Sequence, residues 1–378
     1  MKLDGGLLIK KVNSKKLLHQ FIDFPHELYD GDANYVPELF MAQKDLLNPA
    51  KHPFFDHGDV TCFLAYNDDK IVGRIAAIDN PKYNEYHNSS YGFFGFFDYV
   101  ESTDVAQALM DSVKTHLASK KYESLIGPMN FSTNETAGTL VEGFDSPPKI
   151  MMTYNKSYYD RVQKAVGLEK EMDFLAYFIP TKAVSDKSLR ISKLLEERLA
   201  KQQIKIRNIK IKDLKSEVPG MMKIYNAAWG DNWGFVPMSE REMQHMASDL
   251  KLVADEKFAY IAEHNGEPIA FSVSLPNINE ITINFKKGRL FPFNIFKLLL
   301  NKNKVKSVRI ITTGVMEAYR KKGIEAIFFA KNIAEAKKRN LEGGEASWIL
   351  ENNKEMVAAA EKLNGEKYKT YRIYTCKL

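Results

Sequence analysis

Two hydrophobic rhythms run along the chain, one of period two and one of period 3.6, and they occur in nearly the same order twice. Phe63-Leu64-Ala65, polar residues 67–70 and Ile71-Val72-Gly73 predict a β-hairpin. Tyr260-Ile261-Ala262, then His264-Asn265-Gly266-Glu267, then Pro268-Ile269-Ala270 predict another, with Asn-Gly as the favoured two-residue turn. In the first half, Asn155 precedes a helical run ending at Gly167, and residues 172–179 follow as an aromatic-rich strand. In the second half, Asn353, Gly365 and residues 368–374 repeat that order. Asn can cap a helix start with its side-chain oxygen, and Gly can end a helix. These matches stand at nearly one offset, which points to a duplication. Residues 124–129 correspond to 345–350 at a larger offset, so each half has gained residues. The second half gains them around 284–306 and the first around 130–152. Insertions of this size are more often functional or lid-like than accidental.

Each half therefore reads as strand, helices, hairpin, strand, helix, strand, helix, strand. Between them Leu189, Ile191, Leu194, Leu195 and Leu199 recur among charges, which predicts an amphipathic connecting helix over 185–204. The length of 378 residues suits two domains, 1–184 and 205–378, and 44% hydrophobic residues suffice for two cores. The net charge of +6 is mild for this length and, without concentration on one face, argues against nucleic acid as a partner. Cys62 and Cys376 cannot build a disulfide framework, so a reducing, cytoplasmic setting is expected. The start MKLDGGLLIKK lacks the apolar core of a secretory signal. The most apolar run, 290–300, is short and broken by Pro292 and Lys297, so no membrane span is expected.

The most informative stretch is 305–340, VKSVRIITTGVMEAYRKKGIEAIFFAKNIAEAKKRN. It predicts a strand, a basic turn closed by Gly323, and a long helix. A strand feeding a helix through Tyr319-Arg320-Lys321-Lys322-Gly323 leaves unpaired N–H groups at the helix N-terminus, which can bind phosphate or diphosphate. A solvated basic turn is the bland alternative. In the first half the equivalent helix follows Glu101-Ser102-Thr103-Asp104, an acidic cap that leaves little for a phosphate.

The order of elements, with the basic turn ahead of a central helix, resembles the GNAT acyltransferase fold. The resemblance covers both halves and implies α/β (α+β) architecture: two tandem GNAT-like domains, each a mixed central sheet flanked by helices, the first degenerate. More narrowly, Gly127-Pro128-Met129-Asn130, Thr133-Asn134-Glu135, Gly138 and Val141-Glu142-Gly143-Phe144-Asp145 are similar to a bacterial tandem-GNAT family, as are Trp229 and Asn232-Trp233-Gly234-Phe235. Some of its members are linked to N-acylation of long-chain bases in bacterial ceramide synthesis. The family turn is Gln/Arg-x-x-Gly-x-Gly/Ala. Arg320 and Gly323 fit it, whereas Glu325 occupies the last small position, where a carboxylate could repel a diphosphate.

The resemblance implies an acyl-CoA or acetyl-CoA donor, an amine acceptor and no metal. The donor-binding set would be Val315, Arg320, Lys321, Lys322, Gly323, Ile324 and Asn353. A backbone N–H of strand 310–315 would polarise the thioester carbonyl. Candidates for the general base are Glu351, Glu135, Glu142 and Asp145, each of which could equally be a solvated carboxylate. Trp229, Asn232, Trp233, Asn130 and Asn134 would line the acceptor site, although core packing explains the tryptophans as well. The Tyr that many relatives use to protonate the leaving thiolate is missing, with Ala358-Ala359-Ala360 on that helix. His52 and His57 have no metal-ligand spacing and read as structural.

Residues 284–306 alternate bulky apolar side chains with Lys286, Lys287, Arg289, Lys297, Lys302, Lys304 and Lys306. That is the composition of a peripheral contact with an anionic membrane, and equally of a lid with its lysines outward. Residues 91–97, YGFFGFF, have strand spacing and read as core. The functions to be separated are an acyl-CoA-dependent N-acyltransferase, an aminoacyl transferase of the Fem type, and a non-catalytic binding protein on the same fold. The Fem type wants a basic tRNA-binding arm, and the mixed charges of 185–203 argue against it.

Overall fold

The computed structural model describes residues 6–378. In the first half the elements are β1 (Leu7–Lys11), α1 (Lys15–Leu28), α2 (Phe40–Leu46), β2 (Asp59–Asn67), β3 (Lys70–Asp79), α3 (Pro81–His87), β4 (Tyr91–Tyr99), α4 (Thr103–Leu117), β5 (Ser124–Gly127), β6 (Met129–Asn130), β7 (Thr136–Ala137), β8 (Thr139–Glu142), α5 (Tyr159–Ala165) and β9 (Glu169–Pro180). The connecting helix α6 (Asp186–Lys201) follows. Then come β10 (Ile204–Asn208), α7 (Leu214–Ala228), α8 (Glu240–Leu250), β11 (Ala259–His264), β12 (Glu267–Pro276), α9 (Asn279–Thr282), α10 (Asn294–Asn301), β13 (Ser307–Val315), α11 (Ile324–Lys338), β14 (Gly343–Leu350), α12 (Lys354–Lys362) and β15 (Glu366–Lys377). Both expected hairpins form, as β2–β3 and β11–β12.

The chain divides into two compact units that are not its two halves. Unit 1 takes the described residues up to Phe174, together with Thr282–Lys297 and Lys369–Leu378. Unit 2 takes Leu175–Ile281 and Leu298–Tyr368. In unit 1 the strands run β1-β2-β3-β4-β5 and then the end of β15, whose Tyr374 faces Gly127 and whose Lys377 faces Ser124. The last strand of the chain thus completes the sheet of the first half. In unit 2 the strands run β10-β11-β12-β13-β14, and the sheet is closed by the second part of β9, the last strand of the first half. The halves have exchanged their closing strands.

The core of unit 1 forms where α4 covers the sheet. Val105, Ala106, Leu109, Met110, Val113 and Leu117 recur at helical spacing and are buried against Ile75, Ala77, Phe94, Phe97 and Tyr99. Each such large side chain contributes roughly 1.5–3 kcal/mol by leaving water. In unit 2, α11 does the same through Ile324, Ile327 and Phe328, packed with Tyr260, Ile269, Val315 and Leu199 of α6. As expected from its strand spacing, most of 91–97 is core.

One local expectation fails. Asn155 does not cap α5. Its side chain instead accepts from the Leu140 N–H at 2.6 Å and donates to the Leu140 carbonyl at 3.0 Å, satisfying both backbone groups of a short strand. Gly365 does help to close α12, its N–H donating to the Ala360 carbonyl at 2.9 Å, but the left-handed residue there is Asn364, with φ 57°. Asn353 is the N-cap of α12, accepting from the Met356 N–H at 3.1 Å.

Candidate functional site

In each unit a parallel strand pair parts along its length. In unit 2, β13 pairs with β14 only over Ser307–Ile310, although β13 continues to Val315. The cause lies on its other side. Between the pairs Ser274↔Ile310 and Val273↔Thr312 the register shifts, so Ile311 is an extra residue. Such a bulge bends the strand away from its neighbour. Beyond it, Thr312 Oγ1 is buried with no hydrogen-bond partner among the described residues. Thr313 Oγ1 is 2.9 Å from Ser272 Oγ, and its carbonyl accepts from the Trp229 indole N–H at 3.3 Å. Val315 is buried and pairs with Ala270.

The strand then enters the basic turn. Arg320 is exposed and donates to the Ala228 carbonyl at 3.2 Å. Lys321, left-handed at φ 63°, is exposed, and Lys322 Nζ lies 5.3 Å from the centroid of Tyr319. Tyr319 Oη is 2.7 Å from His264 Nδ1, which ties the turn to β11. Gly323 is the N-cap of α11 with φ 83°, and among the described residues no N-cap side chain bonds the first turn. Ile324 is fully buried and Glu325 partly exposed. Backbone N–H groups, the three exposed cations Arg320, Lys321 and Lys322, and the run of β13 beyond its β14 pairing therefore follow one another along the chain.

At the throat of the parting, charge is buried. Arg309 and Glu345 face each other in the β13–β14 ladder and are 4% and 0% exposed. Arg309 Nε donates to Ser347 Oγ at 2.8 Å, Ser347 donates to Glu345 at 2.6 Å, and the Tyr368 hydroxyl also donates to Glu345. Full pairing is what makes such charges tolerable inside a protein. Sequence reasoning missed this group. Its signal was Arg309 as the one charge in β13.

In unit 1 the corresponding gap is filled. β4 pairs with β5 over Tyr91–Phe93, and a bulge follows, with Phe96 left-handed at φ 49°. The Phe96 N–H donates to Asn130 Oδ1 at 2.8 Å, and Asn130 Nδ2 donates to Thr136 Oγ1 at 2.9 Å. A Cβ at residue 95 would overlap the Met129 carbonyl, so only glycine lets the β6–β7 hairpin in this far. The helix that follows is self-capped, with Ser102 Oγ accepting from Val105 N–H and Asp104 in the first turn.

The other expected residues fall as follows. Glu135 accepts from the Ser132 N–H and hydroxyl at 3.0 and 2.8 Å, and the Asn134 N–H donates to Ser132 Oγ, so this loop is held from within. Glu142 accepts from the Thr370 hydroxyl at 2.6 Å. Lys369, fully buried, donates to the carbonyls of Gly143 and Ser146 and straps the 130–152 insertion down. All of these lie in unit 1. In unit 2, Glu351 is exposed just past the end of β14. Asn232 and Trp229 share a backbone turn, and Trp229 stacks on Tyr225. Trp233 is partly buried.

Unit 1 also holds a buried polar cluster. Arg74 pairs with Asp98 at 2.7 Å, and Asp98 accepts from Tyr29 at 2.8 Å and Tyr159 at 3.3 Å. Beside it, Tyr35 Oη is 3.0 Å from His26 Nδ1, while His26 Nε2 is buried without a partner among the described residues. Burial, with the positive charges of Arg74, Arg289 and Lys287, lowers the His26 pKa to about 4. His26 is therefore neutral near pH 7.

Among the described residues no group of His, Cys, Asp or Glu is arranged to hold a metal, and no helix is long and apolar enough to cross a membrane. No family model matches the chain. It is 33% identical over 373 residues to protein YghO of Escherichia coli, covering 97% of this chain and 94% of that one. It is also 33% identical over 381 residues to the bacterial ceramide synthase of Caulobacter vibrioides, covering 98% and 97%. Among solved structures it resembles a tandem GNAT protein from the clavulanic acid biosynthesis pathway, with a TM-score of 0.58, 9% identity and 98% of both chains covered. That last likeness shows the tandem GNAT fold, and the two relatives show the family: the chain belongs to the family of YghO and the Caulobacter ceramide synthase.

Proposed function

We propose that the protein is an acyl-CoA-dependent N-acyltransferase with one donor site, in unit 2. The observation that carries this reading is the parting of β13 from β14 immediately ahead of the Arg320–Gly323 turn. The donor diphosphate would rest on the N–H groups of residues 321–324, with Arg320 and Lys321 as counter-charges. The pantetheine arm would lie along residues 311–315, where Thr312 Oγ1 offers a buried hydroxyl and a backbone N–H polarises the thioester carbonyl. Val315 and Asn353 would flank the arm.

The amine nitrogen attacks the thioester carbon, the C–S bond breaks, and the amine loses a proton to a general base. We assign that base to Glu351, exposed just past β14. Glu135 and Glu142 already accept hydrogen bonds that hold their own loop. With alanine at 358–360, the thiolate takes its proton from water. Trp229, Asn232 and Trp233 would contact the acceptor.

The division into residues 1–184 and 205–378 with α6 between them belongs to the same proposal, the first copy being degenerate. Its filled gap supports this, because the Phe96 N–H already has a partner. The acceptor we favour is a lipid amine such as a long-chain base, since a relative 33% identical is a ceramide synthase. A reducing, cytoplasmic setting suits a CoA donor.

The test is thermal stabilisation by CoA and palmitoyl-CoA, with an unrelated nucleotide as control. Palmitoyl-CoA should raise the melting temperature, and Arg320→Ala should reduce that rise. No rise with any CoA thioester would end the proposal. A second reading, binding without turnover, is favoured by the missing Tyr on α12; a rise in melting temperature with no amide formed would select it.

A further inference from the structure

Residues Thr282–Lys297 belong to unit 1, although they are an insertion in the second half. Their first part is latched onto α1 and α2. Arg289 Nη2 donates to both carboxylate oxygens of Asp23 at 2.9 Å, and its guanidinium lies 3.5 Å from the centroid of Phe40. Lys287 Nζ is 3.3 Å from Glu27 Oε1. Gly288, at φ 59°, sits so close to the Glu38 carbonyl that a Cβ would overlap it. Phe285 and Leu290 are buried.

Past Leu290 the pattern inverts. Phe291, Phe293 and Phe296 are 58%, 74% and 62% exposed. Large rings in water at this density are rare on a monomeric surface without a partner. The chemistry around them narrows that partner. Residues 284–306 contain seven Lys or Arg and no Asp or Glu. Within unit 1, Lys286 and Lys297 are exposed.

We infer that this tip is a docking surface for an anionic phospholipid bilayer. The rings enter the boundary between headgroups and acyl chains, while the lysines face the lipid phosphates. A second copy of the chain fits poorly, because a two-fold contact would set lysines against lysines. The latch gives the tip a fixed base, so an encounter need not order the whole insertion first. This inference goes beyond acyl transfer and does not rest on it.

The experiment is co-sedimentation with vesicles of phosphatidylcholine, with and without phosphatidylglycerol, at low and high salt. The protein should pellet with the anionic vesicles and be released by salt. The triple variant Phe291→Ser, Phe293→Ser, Phe296→Ser should bind at least about tenfold more weakly, with an unchanged melting temperature. No pelleting overturns the inference, as does pelleting that the triple variant retains. So does a dimer in sedimentation equilibrium that the triple variant dissociates. The melting-temperature rise with palmitoyl-CoA, read on the same preparations, reports separately on the donor site.

Discussion

Two parted strand pairs, one in each unit, begin alike and end differently. β4 leaves β5 after Phe93 and β13 leaves β14 after Ile310, each beside a bulge. In unit 1, Asn130 enters and takes the Phe96 N–H. In unit 2 the strand runs on to Val315 and into an uncapped helix start. If the donor binds unit 2 as proposed, the difference is a way for one copy of a duplicated fold to give up a ligand without losing stability. The gap left behind is costly only while its backbone groups lack partners, and one amide side chain supplies them.

The largest expected effect comes from the throat of the open pair. Arg309→Ala leaves Glu345 buried beside two hydroxyls and no charge, and should cost about 3–5 kcal/mol in urea unfolding. The double variant Arg309→Met, Glu345→Gln should recover much of this. If the single variant unfolds like the wild type, the buried pair does not hold unit 2 together.

Acid should act next, and on unit 1. The His26 pKa lies at about 4 when folded, below its ordinary value of 6.5, so unfolding takes up a proton. Stability is full above about pH 6.5 and falls as the pH drops to about 4, by about 2–3 kcal/mol. Melting curves across this window should flatten in His26→Asn. An unchanged slope would assign the acid loss in this window to another group; Asp173, which Arg372 and Lys170 hold below the usual carboxylate range, would act only at still lower pH.

Asn130→Ala tests the comparison itself. It strands the Phe96 N–H and should cost about 1–3 kcal/mol. The stabilisation by palmitoyl-CoA should not change, because unit 1 offers no turn to hold a diphosphate. A stronger response to the donor in this variant would mean that the plug alone separates the two copies.

The smallest effect is expected at Glu325→Gln. Removing a negative charge from the first turn of α11 weakens the helix by about 0.3–1 kcal/mol through its dipole. If the carboxylate repels the donor, it also tightens palmitoyl-CoA binding by a few-fold. Isothermal titration separates the two effects, and weaker binding would show that Glu325 helps rather than hinders.

Much of this fold is legible in the sequence because local rules decide it. The Asn265-Gly266 pair sets a hairpin, and the helical spacing of 189–199 sets α6, observed as Asp186–Lys201. The turn at 319–323 is legible for the same reason. The strand exchange is not. β9 and β15 are aromatic-rich strands of equal length, and nothing in their pattern says which sheet each will join. Asn155 misleads because its side chain suits a helix cap and a strand's backbone equally well, and only the position of Leu140 decides. Arg309 and Glu345 stand far apart in the sequence, and only the ladder sets them opposite one another.

The exchanged strands also govern when the chain can fold. The edge of β5 is covered by residues 374–377, which leave the ribosome only after the whole of the first half. Until then the first half presents an unpaired strand edge, open to other chains. Residues 1–184 made alone should therefore be aggregation-prone rather than a free-standing domain. A nick or stop near residue 368 would strike the half of the sequence furthest from it.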